Sequence, residues 1–372
     1  MTLLEQVANE EKLLEALQLA KKGCDWKYSV QVYDINSCAE TYKLHQELMN
    51  RTYKPRKYYE FTLRERGKIR HIKACHIRDR VVQKSLCDNV LNPILTKYLI
   101  YDNGASLKNK GISFSRRRLE IHLEQYYKQY HTNQGYILQI DFSKFFDSIP
   151  HNKLIQMVEA KLPDDSVNWL FEEFVNSFGG DKGLGIGSQV SQICGLFYPS
   201  RIDNYCKIVK SLKYYGRYMD DIYIIHPDKK YLQQLLLELK EIANELGLII
   251  NMKKTRICKI DRTFTYLKIK YTLLEDGTIV KKLHRDSIVR ERRRLKKYTK
   301  SHLPYKTIEQ AYKSWRGNAI KYHSHQSIKN LDTLYDKLFI EPFISGAYIE
   351  YEYMQYKHYK RCWNNGFTER SL

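Results

Sequence analysis

The segment Tyr215-Gly216-Arg217-Tyr218-Met219-Asp220-Asp221-Ile222-Tyr223 constrains this chain more than any other stretch. Strand-like runs over 213–218 and 222–226 call for burial. Two adjacent carboxylates in such a setting repel each other and lose hydration. A bare Asp-Asp pair can be a solvated turn, but apolar flanks on both sides favour a bound cation, and hard carboxylate oxygens suit a divalent one. A second apolar run, Tyr136-Ile137-Leu138-Gln139-Ile140, also ends in a carboxylate, Asp141. Asp141, Asp220 and Asp221 are therefore the candidate metal and catalytic residues. Nucleotidyl transfer is the chemistry that asks for them, since it uses two divalent ions about 4 Å apart held by carboxylates from separate segments.

Periodicity places these residues in an ordered frame. Helical spacing covers 2–22, ending at Lys21-Lys22-Gly23, and again 29–51, 79–98 and 113–130. Between the second and third of these, 59–72 reads as a basic hairpin turning at Glu65-Arg66-Gly67-Lys68. After the strand at 136–141 come a helix over 152–162 stopped by Pro163, the two strands around Asp220-Asp221, and an amphipathic helix over 229–245 ending at Gly247. An Asp276-Gly277 turn joins runs 263–273 and 278–283, and the chain beyond 284 reads as helical and basic. Strand, helix, strand-turn-strand, helix, strand across 136–252 is the order of a ferredoxin-like sheet, an α+β arrangement. Fold alone leaves function open.

Composition narrows the partner. Lys and Arg number 63 against 42 Asp and Glu, a formal charge of +21, which points to a polyanion, and 31 tyrosines add rings able to stack on bases. The 8 cysteines are scattered singly without a C-x-x-C pair, as in a reduced cytoplasmic protein. No basic and apolar leader opens the chain, and no run approaches the ~18 apolar residues of a membrane helix, so no membrane partner is expected.

Tyr218-Met219-Asp220-Asp221 resembles the tetrapeptide of reverse transcriptases, and Gln139-Ile140-Asp141-Phe142-Ser143-Lys144-Phe145-Phe146 resembles their first palm motif. The resemblance implies a right-hand polymerase: N-terminal helices and fingers over 1–134, a palm over 135–283 with a fingers segment near 163–190, and a helical thumb with its extension over 284–372. It implies two Mg2+ ions, with Mn2+ able to serve, on Asp141, Asp220, Asp221 and Phe142. It makes Phe146 the aromatic that collides with a ribose 2′-hydroxyl. Lys68 and Arg70, in the basic hairpin, resemble the pair that grips the incoming triphosphate. Leu246-Gly247-Leu248-Ile249-Ile250-Asn251-Met252-Lys253-Lys254 resembles the motif with a lysine near the leaving pyrophosphate, a role open to Lys253 or Lys254. Phe264-Thr265-Tyr266-Leu267-Lys268 resembles the primer-grip hairpin, with Lys268 where the family has glycine. The partners implied are an RNA template, a DNA or RNA primer and dNTPs.

Within that family, Gly183 to Gln192 departs from the common Pro-Gln-Gly form. It has Ile186-Gly187 and Ser191-Gln192, similar to the bacterial reverse transcriptases of diversity-generating retroelements. That group implies nucleotide contacts at Ile186, Gly187 and Gln192, and a small basic accessory protein as partner. Ile186 cannot hydrogen-bond the incoming nucleotide, so selection by shape alone implies an error-prone enzyme. A phage-defence or other bacterial reverse transcriptase is the alternative within the superfamily of retron and group II intron enzymes. A catalytically dead RNA-binding protein is the alternative outside it.

Overall fold

The computed structural model describes residues 1–65, 67–301 and 303–341, leaving aside the side chains of Glu65 and Lys68. The chain forms two compact units. One is Met1–Tyr130 with Gly135–Cys258, and the other is His131–Gln134 with the described residues from Lys259 on. The described residues include no helix long and apolar enough to cross a membrane.

The first unit opens with helices α1 (Leu3–Ala8), α2 (Glu10–Ala20), α3 (Tyr28–Ile35) and α4 (Ser37–Met49). The single helix expected over 2–22 is broken at Asn9. Its backbone leaves the helical region (φ −56°, ψ 127°) and its side chain accepts the Lys12 N–H, so it closes α1 and caps α2. Asn36 divides the stretch over 29–51, its amide donating to the Val32 carbonyl. Strands β1 (Tyr59–Glu65) and β2 (Lys68–Ala74) form the basic hairpin. Helix α5 (Ile77–Leu86) runs through a π-helical turn into α6 (Asn92–Leu95), and α7 (Ile112–Tyr130) follows.

Next come β3 (Tyr136–Ile140), α8 (Phe145–Ser148), α9 (His151–Glu159), α10 (Asn168–Asn176), α11 (Gln189–Phe197), α12 (Ser200–Asn204), β4 (Tyr215–Tyr218), β5 (Asp221–His226), α13 (Lys229–Glu245) and β6 (Arg256–Lys259). The sheet order β4-β5-β3-β6 is that of the ferredoxin-like fold, and β5 runs antiparallel to both β3 and β4. Helix α13 buries Leu232, Leu235, Leu239 and Ala243 along one stripe, and Asp228 caps it by accepting the Lys230 N–H. Helices α10, α11 and α12 have no counterpart in the sequence reading. In α11, Val190, Ser191, Ile193, Cys194, Gly195, Leu196 and Phe197 are all buried, so no polar face marks its period.

In the second unit β7 (Phe264–Tyr266), β8 (Ile269–Leu273) and β9 (Ile279–Leu283) form an antiparallel sheet. The single strand expected over 263–273 is instead a hairpin. Tyr266 pairs with Ile269 across Leu267-Lys268, both in the left-handed region (φ +43° and +66°). Lys268 thus adopts the backbone that glycine favours. Helices α14 (Arg285–Tyr298), α15 (Tyr305–Ala319) and α16 (His325–Tyr335) bury Leu295, Ile308, Tyr312, Leu331 and Tyr335 against one another and against Phe339 of the π-helical turn that follows. The rest of the helical extension expected over 284–372, from residue 342 on, lies outside the described residues.

A buried polar network steadies the first unit beside β4. The Asp102 carboxylate meets Arg118 (2.5 Å), Lys207 (3.0 Å) and His122 (3.6 Å), and the His122 ring also hydrogen-bonds the Tyr223 hydroxyl of β5 (3.0 Å). Burial would raise the Asp102 pKa, but the three basic neighbours bring it below the usual carboxylate value. Burial, helped by Arg118 and Lys207 against the pull of Asp102, lowers the His122 pKa to about 4. As pH falls below the ordinary histidine range, the unfolded chain binds this proton before the folded one, so stability present at pH 7 is lost between about 6.5 and 4. Urea denaturation at pH 7 and pH 4.5 should differ by up to about 3 kcal/mol from this residue alone. A His122→Gln variant should show a correspondingly flatter dependence.

Candidate active site

Strand pairing assembles the carboxylates. Ile140 of β3 lies opposite Ile222 of β5, so the next step in the register brings Asp141 opposite Asp221. Tyr218 pairs with Asp221, which leaves Met219 and Asp220 as the two residues of the β4–β5 turn. All three carboxylates are half-buried.

Met219 occupies the left-handed region (φ +56°), a conformation hairpin turns usually give to glycine. The support comes from Arg217, fully buried within β4. Its guanidinium donates to Asp203 (Nε 2.8 Å, Nη2 2.5 Å), to the Leu196 carbonyl (2.8 Å) and to the Met219 carbonyl (3.0 Å). Asp203 also accepts the Tyr215 hydroxyl (2.5 Å), so one carboxylate of α12 collects both inward-facing polar groups of β4. Sequence reading missed this pair. An arginine in an otherwise apolar strand was its one visible signal, and nothing marked Asp203.

On the other side of β3, Phe142 and Ile250 face each other. The Asn251 N–H donates to the Asp141 carbonyl and the Ser143 N–H to the Ile249 carbonyl, both at 2.8 Å. That pattern turns the Phe142 carbonyl away from Ile250, toward the β5 side where Asp220 and Asp221 lie. Asn251 also shapes the following turn, its carbonyl accepting the N–H of Lys254 and its side chain that of Lys253. The turn delivers the Lys254 ammonium to Asp141 Oδ1 at 2.7 Å. The pKa of Lys254 is raised by that hydrogen bond and by the fields of Asp141, Asp220 and Asp221. Both lysines are exposed, and of the two it is Lys254 whose ammonium contacts Asp141.

Phe146 is half-buried, edge-on to Phe145 at 5.3 Å between ring centroids. It rests on Gly195 of α11, where an added Cβ would lie 2.8 Å from the Phe146 ring and 3.3 Å from the Met219 sulfur. Ile186 is tied to the hairpin through its carbonyl, which accepts the Lys73 N–H of β2 (3.2 Å). Gly187 has φ +115°, open only to glycine, and Ser188 caps α11 while donating to Gln83 (3.0 Å). Gln192 and Arg70 are exposed, and the side chain of Lys68 lies outside the described residues.

The donor set is all oxygen, as a hard divalent ion requires. Among the described residues, no three His, Cys, Asp or Glu side chains come together as a ready cage. An open arrangement suits Mg2+, which is held by one or two carboxylates and completed by water and substrate phosphates. In this structure the cation beside Asp141 is the Lys254 ammonium.

A ferredoxin-like sheet with these carboxylates at one end defines the palm of a right-hand polymerase. Residues 54–271 match the family described as reverse transcriptase (RNA-dependent DNA polymerase), and the chain belongs to that family. In structure it is similar to telomerase from Candida albicans in complex with a fragment of telomeric RNA (TM-score 0.53, 13% identity, covering 80% of this chain and 55% of that one). Apo telomerase from Candida tropicalis gives a TM-score of 0.46 at 14% identity, covering 61% of this chain and 49% of that one. The chain thus spans about half the length of these telomerases, and the likeness to the first is one of fold. No curated protein sequence matches it.

Replacing Arg217 with Met should leave Asp203 buried without its partner and cost about 3–5 kcal/mol in urea denaturation. The double variant Arg217→Met/Asp203→Leu should recover much of that loss. Equal stability of the two variants would show that the unpaired Asp203 carboxylate is not the source of the loss.

Proposed function

We propose that this protein is an RNA-directed DNA polymerase that extends a DNA or RNA primer on an RNA template with dNTPs. The observation that carries the reading is the strand register that sets Asp141 opposite Asp221 beside the Asp220 turn, with Lys254 hydrogen-bonded to the same cluster. In the reaction the primer 3′-oxygen forms a bond to the α-phosphorus, the bond to the β-phosphate oxygen breaks, and pyrophosphate leaves. Two Mg2+ ions, or Mn2+ in their place, supply acidification of the 3′-hydroxyl and neutralisation of the triphosphate when bound.

The chain's own residues do the rest. Asp141, Asp220, Asp221 and the Phe142 carbonyl hold the ions, and Lys254 sits where it can neutralise charge on the departing pyrophosphate. The Phe146 ring, held in place over Gly195, excludes a ribose 2′-hydroxyl by contact. Lys68 and Arg70 of the basic hairpin grip the triphosphate, Arg70 as a planar fork. Ile186 and Gly187, joined to β2, border the nucleotide with an apolar side chain and bare backbone, and Gln192 belongs to the same border.

An apolar residue at 186 offers no hydrogen bond by which to reject a mismatch, so the enzyme is error-prone, as in a diversity-generating retroelement, with a small basic accessory protein as partner. Primer extension on an RNA template with Mg2+ should fall by more than about a thousandfold in Asp220→Asn/Asp221→Asn. Undiminished extension in that variant would end the polymerase reading. In sequenced products, Ile186→Gln should lower the misincorporation frequency several-fold. Ordinary fidelity in the wild type, unchanged by the substitution, would end the error-prone reading alone.

A further inference from the structure

The second unit contains a cavity of about 480 Å3 bounded by the β8–β9 hairpin and the first turns of α14 and α16. Lys270, Lys282, Arg285 and Arg292 line it, Lys270 half-buried and the others exposed, and none of these has an ion pair or side-chain hydrogen bond among the described residues. Four cations gathered at one concavity without carboxylates repel each other, an arrangement that favours an anion between them.

The backbone adds to this. Ser324 stands at the N-cap of α16, yet its hydroxyl accepts the Leu283 N–H of β9 (2.9 Å) and gives α16 no side-chain cap. The N–H groups of His325, Gln326 and Ser327 are left without an acceptor among the described residues, on the wall of the same cavity. Ile288 and Val289 of α14 add an apolar part to its lining. Strand backbone carries about one charge per nucleotide strung along a track, whereas these cations line a single concavity beside an apolar surface. Contiguous phosphates attached to a nucleoside match that layout.

We propose that this cavity binds the 5′-polyphosphorylated end of a nucleotide, a chemistry shared by a free nucleoside triphosphate and by an RNA bearing a 5′-triphosphate. The site uses residues of the second unit alone and goes beyond the proposed polymerase chemistry. It is tested on the full chain in EDTA without dNTPs, so the outcome does not depend on polymerase activity.

Fluorescence anisotropy would compare one RNA carrying a 5′-triphosphate or a 5′-hydroxyl, with ATP and inorganic tripolyphosphate as competitors. Wild type should prefer the triphosphate RNA by about tenfold or more. That preference should disappear in Lys282→Ala/Arg285→Ala and in Gln326→Glu, while binding of the 5′-hydroxyl RNA changes by less than about threefold. Gln326→Glu places an acid in the first turn of α16, where it favours the helix, so a loss there is not a loss of fold. If ATP displaces the triphosphate RNA, the free nucleotide is a ligand. If ATP does not displace it and the end preference holds, the RNA terminus is the ligand. Equal affinity for both RNA ends with no displacement by ATP or tripolyphosphate would overturn the proposal, as would a preference that survives in both variants.

Discussion

Arg217 and Asp203 form a fully buried ion pair, and the geometry of the carboxylate cluster depends on it. Ions taken out of water are costly unless every donor is satisfied, and here the guanidinium reaches a carboxylate and two backbone carbonyls at once. One of those carbonyls belongs to Met219, so the charge pair is wired into the turn that presents Asp220. The same guanidinium ties β4 to α11 through Leu196 and to α12 through Asp203. A strand, two helices and a turn are thereby fixed from one point, and the strain of a left-handed methionine can be sustained.

The carboxylates were legible in sequence because each lies at the edge of an apolar run, where only a turn or a site can be. The strands around them and α13 followed from plain alternation and from a stripe of leucines. What escaped detection did so for physical reasons. Asn9 and Asn36 look innocuous inside a helical pattern, yet an asparagine side chain can take over backbone hydrogen bonds and end a helix. Helix α11 is buried nearly all round, so it lacked the amphipathic period by which helices are recognised. The pairing of Lys254, rather than Lys253, with Asp141 turned on the local bonds of Asn251, which no residue pattern reports.

Two tight turns in different units, at Met219-Asp220 and Leu267-Lys268, use left-handed backbone without glycine. Each such residue costs on the order of 1 kcal/mol, so the chain has kept side chains where flexibility would have been easier to obtain. In the first turn the retained side chain packs near Gly195, and stiffness and packing come from the same residue.

Gly195 touches two elements through the side chain it lacks. The Phe146 ring and the Met219 sulfur both approach the space a methyl group would fill. These three positions are therefore bound together in descent. A lineage that placed alanine at 195 would have to reshape the ring at 146, the thioether at 219, or both, in the same stretch of its history. Covariation among 146, 195 and 219 is the trace that constraint should leave across relatives, although the three lie far apart along the chain.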